Sequence, residues 1–197
     1  MSEESSRAAP IVPLPSGEWS MDDGASRIPF QVDGTAGSDA NRLVVSDPSI
    51  DAVNELYEIR ITLERLATEI AATQLGDDEL AALETIVAQM RDASPRGFVE
   101  LNREFHSRIY PAAQRPRLSE ITESLGQSAA SYVRMNIDRY DPAYRNDAQA
   151  EHEAILSALR SRAPSWAAHA MHVHLEHSAR HVAGLIEKSR RPAPSGD

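Results

Sequence analysis

The pattern of apolar positions changes character near residue 47. From there to residue 190, leucine, isoleucine, valine and methionine recur at steps of three and four residues, which is the spacing of amphipathic α-helices. The two-residue alternation typical of a strand is absent from this stretch of sequence. Proline, glycine and N-capping residues divide it into six segments joined by short turns. The pattern therefore predicts an all-α fold, an antiparallel bundle of about six helices.

The boundaries of these helices are predicted from capping residues and prolines. Asp47-Pro48 supplies an N-cap and a first-turn proline for the first helix, and Asp77 or Asp78 is expected to cap the second. Pro111 is expected to bend or end the third helix. We expect the third, fifth and sixth helices to begin at Ser94-Pro95, Asp141-Pro142 and Ser165, and the fourth to span about residues 116–140.

Residues 1–46 differ from the rest in composition. They contain four prolines and four glycines, spaced so that no window is long enough for a helix. Their three arginines face seven carboxylates. We therefore expect a largely irregular segment at 1–46, a helical domain at 47–190 and a disordered tail at 191–197.

Composition and charge exclude several classes of protein. The 197 residues suffice for one core, and the formal net charge of −10 opposes a surface that neutralises phosphates. Because the chain has no cysteine, disulfides, thiolate zinc sites, iron–sulfur clusters and cysteine nucleophiles are excluded. The N-terminus does not look like a signal peptide, and no run of about 18 apolar residues occurs. We expect a cytoplasmic protein without a membrane partner.

The seven histidines raise the question of a metal site. His106 lies one helical turn after Asn102, so the pair can present an imidazole nitrogen and a carboxamide oxygen to one ion. His152, flanked by two glutamates, would alone be interpreted as a surface residue. Of the five histidines on the last predicted helix, the apolar stripe lies nearest to His174, which is expected to point inward. The other four are expected at solvated or rim positions; they are His169, His172, His177 and His181.

Common enzyme signatures are missing from the sequence. His152-Glu153 is not followed by the second histidine of a His-Glu-x-x-His motif, because Leu156 occupies that position. The sequence contains no Glu-x-x-His pair, Gly-rich phosphate loop or Gly-x-Ser-x-Gly elbow. We therefore expect a protein that is not an enzyme.

Four motifs, in order along the chain, carry a resemblance to a known family. They resemble the C-terminal effector domain, called the FCD domain, of the FadR branch of GntR transcriptional regulators. The resemblance covers roughly residues 50–186 and implies a helical bundle that binds an effector. The motifs are Leu56-Tyr-Glu-Ile-Arg-Ile-Thr-Leu-Glu64, Leu101-Asn-Arg-Glu-Phe-His106, Glu151-His-Glu-Ala-Ile155 and Ala170-Met-His-Val-His174.

The resemblance implies a metal site. In the family, an aspartate and three histidines converge on a divalent cation, usually zinc, nickel or manganese. The matching positions are Asn102, His106, His152 and His174, and the asparagine in place of aspartate is expected to weaken the site. Arg60 matches an arginine that reaches the same cavity and binds the carboxylate of a small organic acid. The alternative for Arg60 is an interhelical salt bridge with a glutamate.

The N-terminal segment departs from the family. Gly24–Phe30 resembles the start of the recognition helix of a winged helix-turn-helix, and Asn41–Val45 resembles its wing strand. The segment is shorter than that module, which suggests a truncated or degenerate remnant. We expect DNA binding only if the module is functional or supplied by a partner.

The leading hypothesis is a homodimeric, metal-containing effector domain of a GntR-type regulator that senses a small organic acid, with DNA binding reduced or lost. One alternative is a small metalloenzyme acting on a carboxylate, for which His177 and Glu151 are distant candidates for the base. Another is a dimerising modulator of a full-length paralogue.

Overall fold

The computed structural model describes residues 49–135 and 141–190, and the backbone of two short strands near the N-terminus. The backbone divides into two units, Met1–Ala40 and Asn41–Asp197. In the first unit, β1 (Val12–Pro13) pairs antiparallel with β2 (Trp19–Ser20). This ladder was not predicted, because two-residue strands leave no periodic pattern.

Within its described residues, the second unit contains six α-helices, which confirms the predicted all-α bundle. A short 3₁₀ helix, Tyr110–Ala113, follows the third helix, as expected from the position of Pro111. The helices are α1 (Ile50–Ala71), α2 (Asp77–Met90), α3 (Pro95–Ile109), α4 (Pro116–Met135), α5 (Pro142–Arg160) and α6 (Pro164–Arg190).

Two predicted N-caps are confirmed. The Ser94 side chain accepts a hydrogen bond from the Gly97 amide at 3.1 Å, and Asp141 accepts one from the Ala143 amide at 2.8 Å. In both cases a proline follows the cap, where its missing N–H costs no helical hydrogen bond.

Three of the other predicted starts are corrected, and the predicted start of α4 at Pro116 is confirmed. Ser49 is the N-cap of α1, its Oγ accepting from the Ala52 amide at 3.0 Å, whereas Asp47 lies outside the described residues. Gly76 is the N-cap of α2, so Asp77 falls inside the first turn, where a carboxylate favours the positive helix end. In α6, Pro164 takes the first helical position and places Ser165 inside the helix. For α4, residues 136–140 lie outside the described residues.

The core is built around α1 and α6, which pack along each other, and α5 packs along α6. A larger cluster joins buried side chains of α1, α2, α3, α5 and α6. A smaller cluster of Val53, Tyr57, Ala129, Tyr132, Val182 and Ile186 joins α1, α4 and α6. Among the described residues, no helix is both long and apolar enough to cross a membrane.

Candidate metal centre

Three histidines from three helices meet inside the bundle. His106 of α3, His152 of α5 and His174 of α6 are 5%, 0% and 2% exposed. One ring nitrogen of each lies within 4.8 Å of the others, and the Nε2 atoms of His106 and His174 are 3.2 Å apart. The helical-wheel prediction that His174 points inward is confirmed, and the surface interpretation of His152 from its local sequence is wrong. The apolar Ile155 and Leu156, one turn further along α5, are buried with it.

The Nδ1 atom of each histidine has a partner on the side away from this meeting point. His152 Nδ1 donates to the Ala148 carbonyl at 2.6 Å, one turn earlier in α5. His174 Nδ1 donates to Glu151 Oε2 at 2.9 Å. These acceptors assign the proton to Nδ1, which leaves Nε2 with a free lone pair. Such outer partners orient metal-binding histidines and raise their basicity.

His106 is held by a chain of buried hydrogen bonds. Its Nδ1 lies 3.0 Å from the Tyr110 hydroxyl, and that hydroxyl in turn donates to Glu64 Oε2. Because the hydroxyl proton is used on Glu64, the oxygen accepts from His106 Nδ1. Glu64, which is 0% exposed, also accepts from Arg60 Nε at 2.7 Å. The buried Arg60–Glu64 pair thus fixes Tyr110, and Tyr110 fixes the His106 ring.

Burial keeps two of the three histidines neutral. The pKa of His106 is lowered well below its ordinary value by burial first, and then by His174, His152 and Arg60. Burial, and then His174, likewise lower the pKa of His152. Burial and the Glu64 carboxylate raise the pKa of the Tyr110 hydroxyl, which therefore stays protonated. His106 and His152 are thus neutral imidazoles, the form that binds a metal.

The donor set fits a divalent cation. Within the described part of the chain, His152 Nε2 is buried without a hydrogen-bond partner, a costly condition for a polar atom. The Nε2 atoms of His106 and His174 face each other at 3.2 Å, and with the proton of each ring on Nδ1 both present a lone pair that a cation between them would bind. Imidazoles from three helices are ligands typical of zinc and nickel sites.

Asn102 and Arg60 both line a partly open cavity beside the histidines. His106 and His174 form part of its wall, as does Tyr57, whose hydroxyl lies 2.9 Å from Ser178 Oγ. The salt bridge of Arg60 lies within α1, in contrast to the interhelical one considered from the sequence.

The remaining histidines of α6 lie away from the centre. His169 is exposed, and His172, His177 and His181 are half-buried. His177 Nδ1 donates to Glu151 Oε1 at 2.6 Å, and the His181 ring stacks on Tyr144 with centroids 3.7 Å apart.

The sequence analysis did not identify the outer partners Glu64, Tyr110 and Glu151 in these roles. The spacing of Tyr110, four residues after His106, was an available signal. Glu64 and Glu151 could not be found in this way, because they meet Tyr110 and His174 across 46 and 23 residues of chain.

Comparison with known proteins identifies the class. The sequence profile of the FCD domain matches residues 55–177, more than half of the chain. The chain therefore belongs to the FCD domain family.

The relatives are named as transcriptional regulators. The HTH-type transcriptional regulator YdhC of Bacillus subtilis is 23% identical over 162 residues, which are 77% of this chain and 69% of YdhC. A structure of Streptococcus agalactiae GntR is similar with a TM-score of 0.57 and 26% identity, over 70% of this chain and 62% of that one. A GntR family member from Pseudomonas syringae has the same fold, with a TM-score of 0.63 and 22% identity over 71% and 59%. The chain thus spans less than two thirds of either solved regulator.

Proposed function

We propose that this chain is a metal-containing effector domain of a GntR-type transcriptional regulator and that it senses a small organic acid. The observation that carries the proposal is the cluster of three buried histidines, each with Nδ1 bonded to an outer partner, two of which line a cavity. Membership of the FCD family supports the regulatory part of the proposal.

His106, His152 and His174 would hold a divalent ion, with the Asn102 side-chain oxygen as a fourth ligand. Zinc, nickel and manganese are the candidates, and such an ion supplies a coordination position for an anionic group. Arg60 donates to Glu64 from both Nε and Nη2, but a guanidinium has five N–H donors. Its remaining donors are available to a carboxylate in the cavity.

The steps of regulation that follow acid binding require a regulator with DNA-reading modules. We propose that acid binding shifts the helices of the bundle and so changes the spacing of DNA-reading modules in a dimer. The acidic residues 1–46 support reduced DNA binding by this chain itself. A regulator of this kind acts in the cytoplasm, where the DNA is.

The two alternatives find less support. In a metalloenzyme, a base faces the open side of the metal. Glu151 instead bonds Nδ1 of His174, on the side of the ring opposite Nε2, and His177 bonds the same carboxylate. A modulator that dimerises with a paralogue would use the same bundle and no metal chemistry, so metal-dependent sensing separates it from our proposal.

The test is metal-dependent binding of acids. Thermal shift with a panel of small organic acids is measured on metal-loaded wild type, on metal-stripped wild type and on Arg60→Ala. We expect acids to raise the Tm only of loaded protein, and less in Arg60→Ala. Equal shifts with and without metal would contradict metal-dependent sensing, and equal shifts in Arg60→Ala would limit the arginine to a structural role.

A further inference from the structure

The cavity beside the histidines is lined by two chemically different sets of side chains. The polar wall includes Arg60, Asn102, His106 and His174, together with Thr122 and Glu123 of α4. The apolar wall is formed by α3 and α4, and most of its α4 residues are small. It consists of Phe98, Val99, Gly126, Ala129, Ala130 and Val133.

The arginines that line the cavity already form salt bridges with glutamates. Among the described residues that line it, the arginines are Arg60 and Arg103. Arg60 pairs with Glu64 at 2.7 Å, and Arg103 pairs with Glu123 at 3.3 Å, across the gap between α3 and α4. An additional carboxylate in the cavity would therefore find donors on Arg60 but no uncompensated guanidinium charge.

The charges around the histidines also favour a ligand with a single negative charge. Glu151 accepts hydrogen bonds from His174 and His177 and adds one negative charge directly behind the site. Since each cavity arginine is balanced by a glutamate, a divalent ion at the histidines leaves an excess of about one positive charge. One negative charge on a ligand balances it, and a second would be buried without compensation.

We propose that the effector is a monocarboxylic acid with an apolar body, rather than a di- or tricarboxylic acid. Its carboxylate lies at the histidines and Arg60, and its hydrocarbon part covers the apolar wall of α4. This inference rests on the proposed function, because it names the chemical class of the ligand that the same cavity binds.

A matched set of three acids tests the class. Hexanoate and adipate have the same carbon chain and differ by a second carboxylate, whereas acetate has the carboxylate without the apolar body. Titration calorimetry on metal-loaded protein measures each affinity. We expect hexanoate to bind about tenfold or more tightly than either adipate or acetate, because it alone matches both walls.

A pair of glycine variants tests the position of the apolar body. Gly126 lines the cavity on α4, and a Cβ added there would meet no atom within 4 Å. Gly184 on α6 has the same open space but does not line the cavity, so Gly184→Leu is the control for Gly126→Leu. Either change replaces a helical glycine, which favours the helix. We expect Gly126→Leu to weaken hexanoate at least about tenfold while leaving metal content unchanged, and Gly184→Leu to do neither.

The outcomes separate this inference from the proposed function. Adipate binding as tightly as hexanoate would overturn the monocarboxylate class, and equal effects of the two leucine variants would overturn the placement of the apolar body against α4. Either result leaves metal-dependent acid sensing intact. Failure of every acid to bind the metal-loaded protein would overturn the sensing function itself, and this inference with it.

Discussion

Glu64 is the residue on which the buried hydrogen-bond chain beside the metal centre depends. It is fully buried, and it bonds both Arg60 of its own helix and Tyr110, which follows α3. Through Tyr110 its charge acts on His106. We interpret Glu64 and Tyr110 as positioning residues that set the tautomer of His106, a proposed metal ligand.

Tyr110→Phe is expected to weaken metal binding about tenfold or more, because His106 Nδ1 loses its acceptor. The substitution keeps the ring and leaves the Arg60–Glu64 pair intact, so the fold is expected to survive. Competition with a chromogenic chelator measures the affinity, and ¹⁵N NMR of the imidazole reports the tautomer of His106. An unchanged affinity in Tyr110→Phe would show that the hydrogen-bond chain is only structural.

Asn102→Asp is expected to bind the metal several-fold more tightly. The change places a charged oxygen one turn from His106 without altering the size of the side chain, and charged oxygens are better ligands for divalent cations. The same chelator competition measures it. Equal or weaker affinity would mean that residue 102 does not face the ion.

At the scale of helices, the sequence predicted the elements well and their contacts poorly. The three- and four-residue spacing of apolar positions predicted six helices, and serine or aspartate before proline located the starts of α3 and α5. The start of α2 was misplaced, because an aspartate serves equally well as a cap or within the first turn. The helical wheel predicted that His174 points inward, whereas the proposed ligand set of His106, His152 and His174 came from the resemblance. Their outer partner Glu64 was missed, because spacing within one helix does not show which side chains another helix supplies.

The contact between α5 and α6 predicts a dependence of stability on pH. His181 of α6 stacks on Tyr144 of α5, and its pKa is lowered to about 4 by burial, with His177 and Lys188 adding to this and Asp141 opposing it. In the unfolded chain, His181 has a pKa of about 6.5 and binds a proton below that pH, whereas in the folded chain it stays neutral down to about pH 4. The contribution of His181 to the free energy of unfolding is therefore complete above pH 6.5 and is lost as the pH drops towards 4.

The slope expected from His181 is at most about 1.4 kcal/mol per pH unit. Urea unfolding of wild type and His181→Phe at several pH values measures it, since phenylalanine keeps the stacking and removes the proton site. His169→Phe, at an exposed position of the same helix, is the control. Parallel pH profiles for wild type and His181→Phe would contradict this account.

At the scale of the whole molecule, we predict that this chain does not bind duplex DNA specifically at physiological salt. Residues 1–46 carry more carboxylates than arginines, and the chain as a whole has a net charge of −10. Fluorescence anisotropy with the DNA around its own gene, excess competitor and a stated salt concentration measures binding. Tight, competitor-resistant binding at protein concentrations below about one micromolar would contradict the expected loss of DNA binding.

The central claim is that three histidines from three helices hold one divalent ion. Elemental analysis of protein purified without chelator, together with the Tm in added zinc, nickel or manganese, tests it most directly. We predict about one ion per chain in wild type and in the exposed control His169→Ala, and loss of the ion in His152→Ala. Metal-free wild type with a Tm that ignores all three added ions would contradict the account.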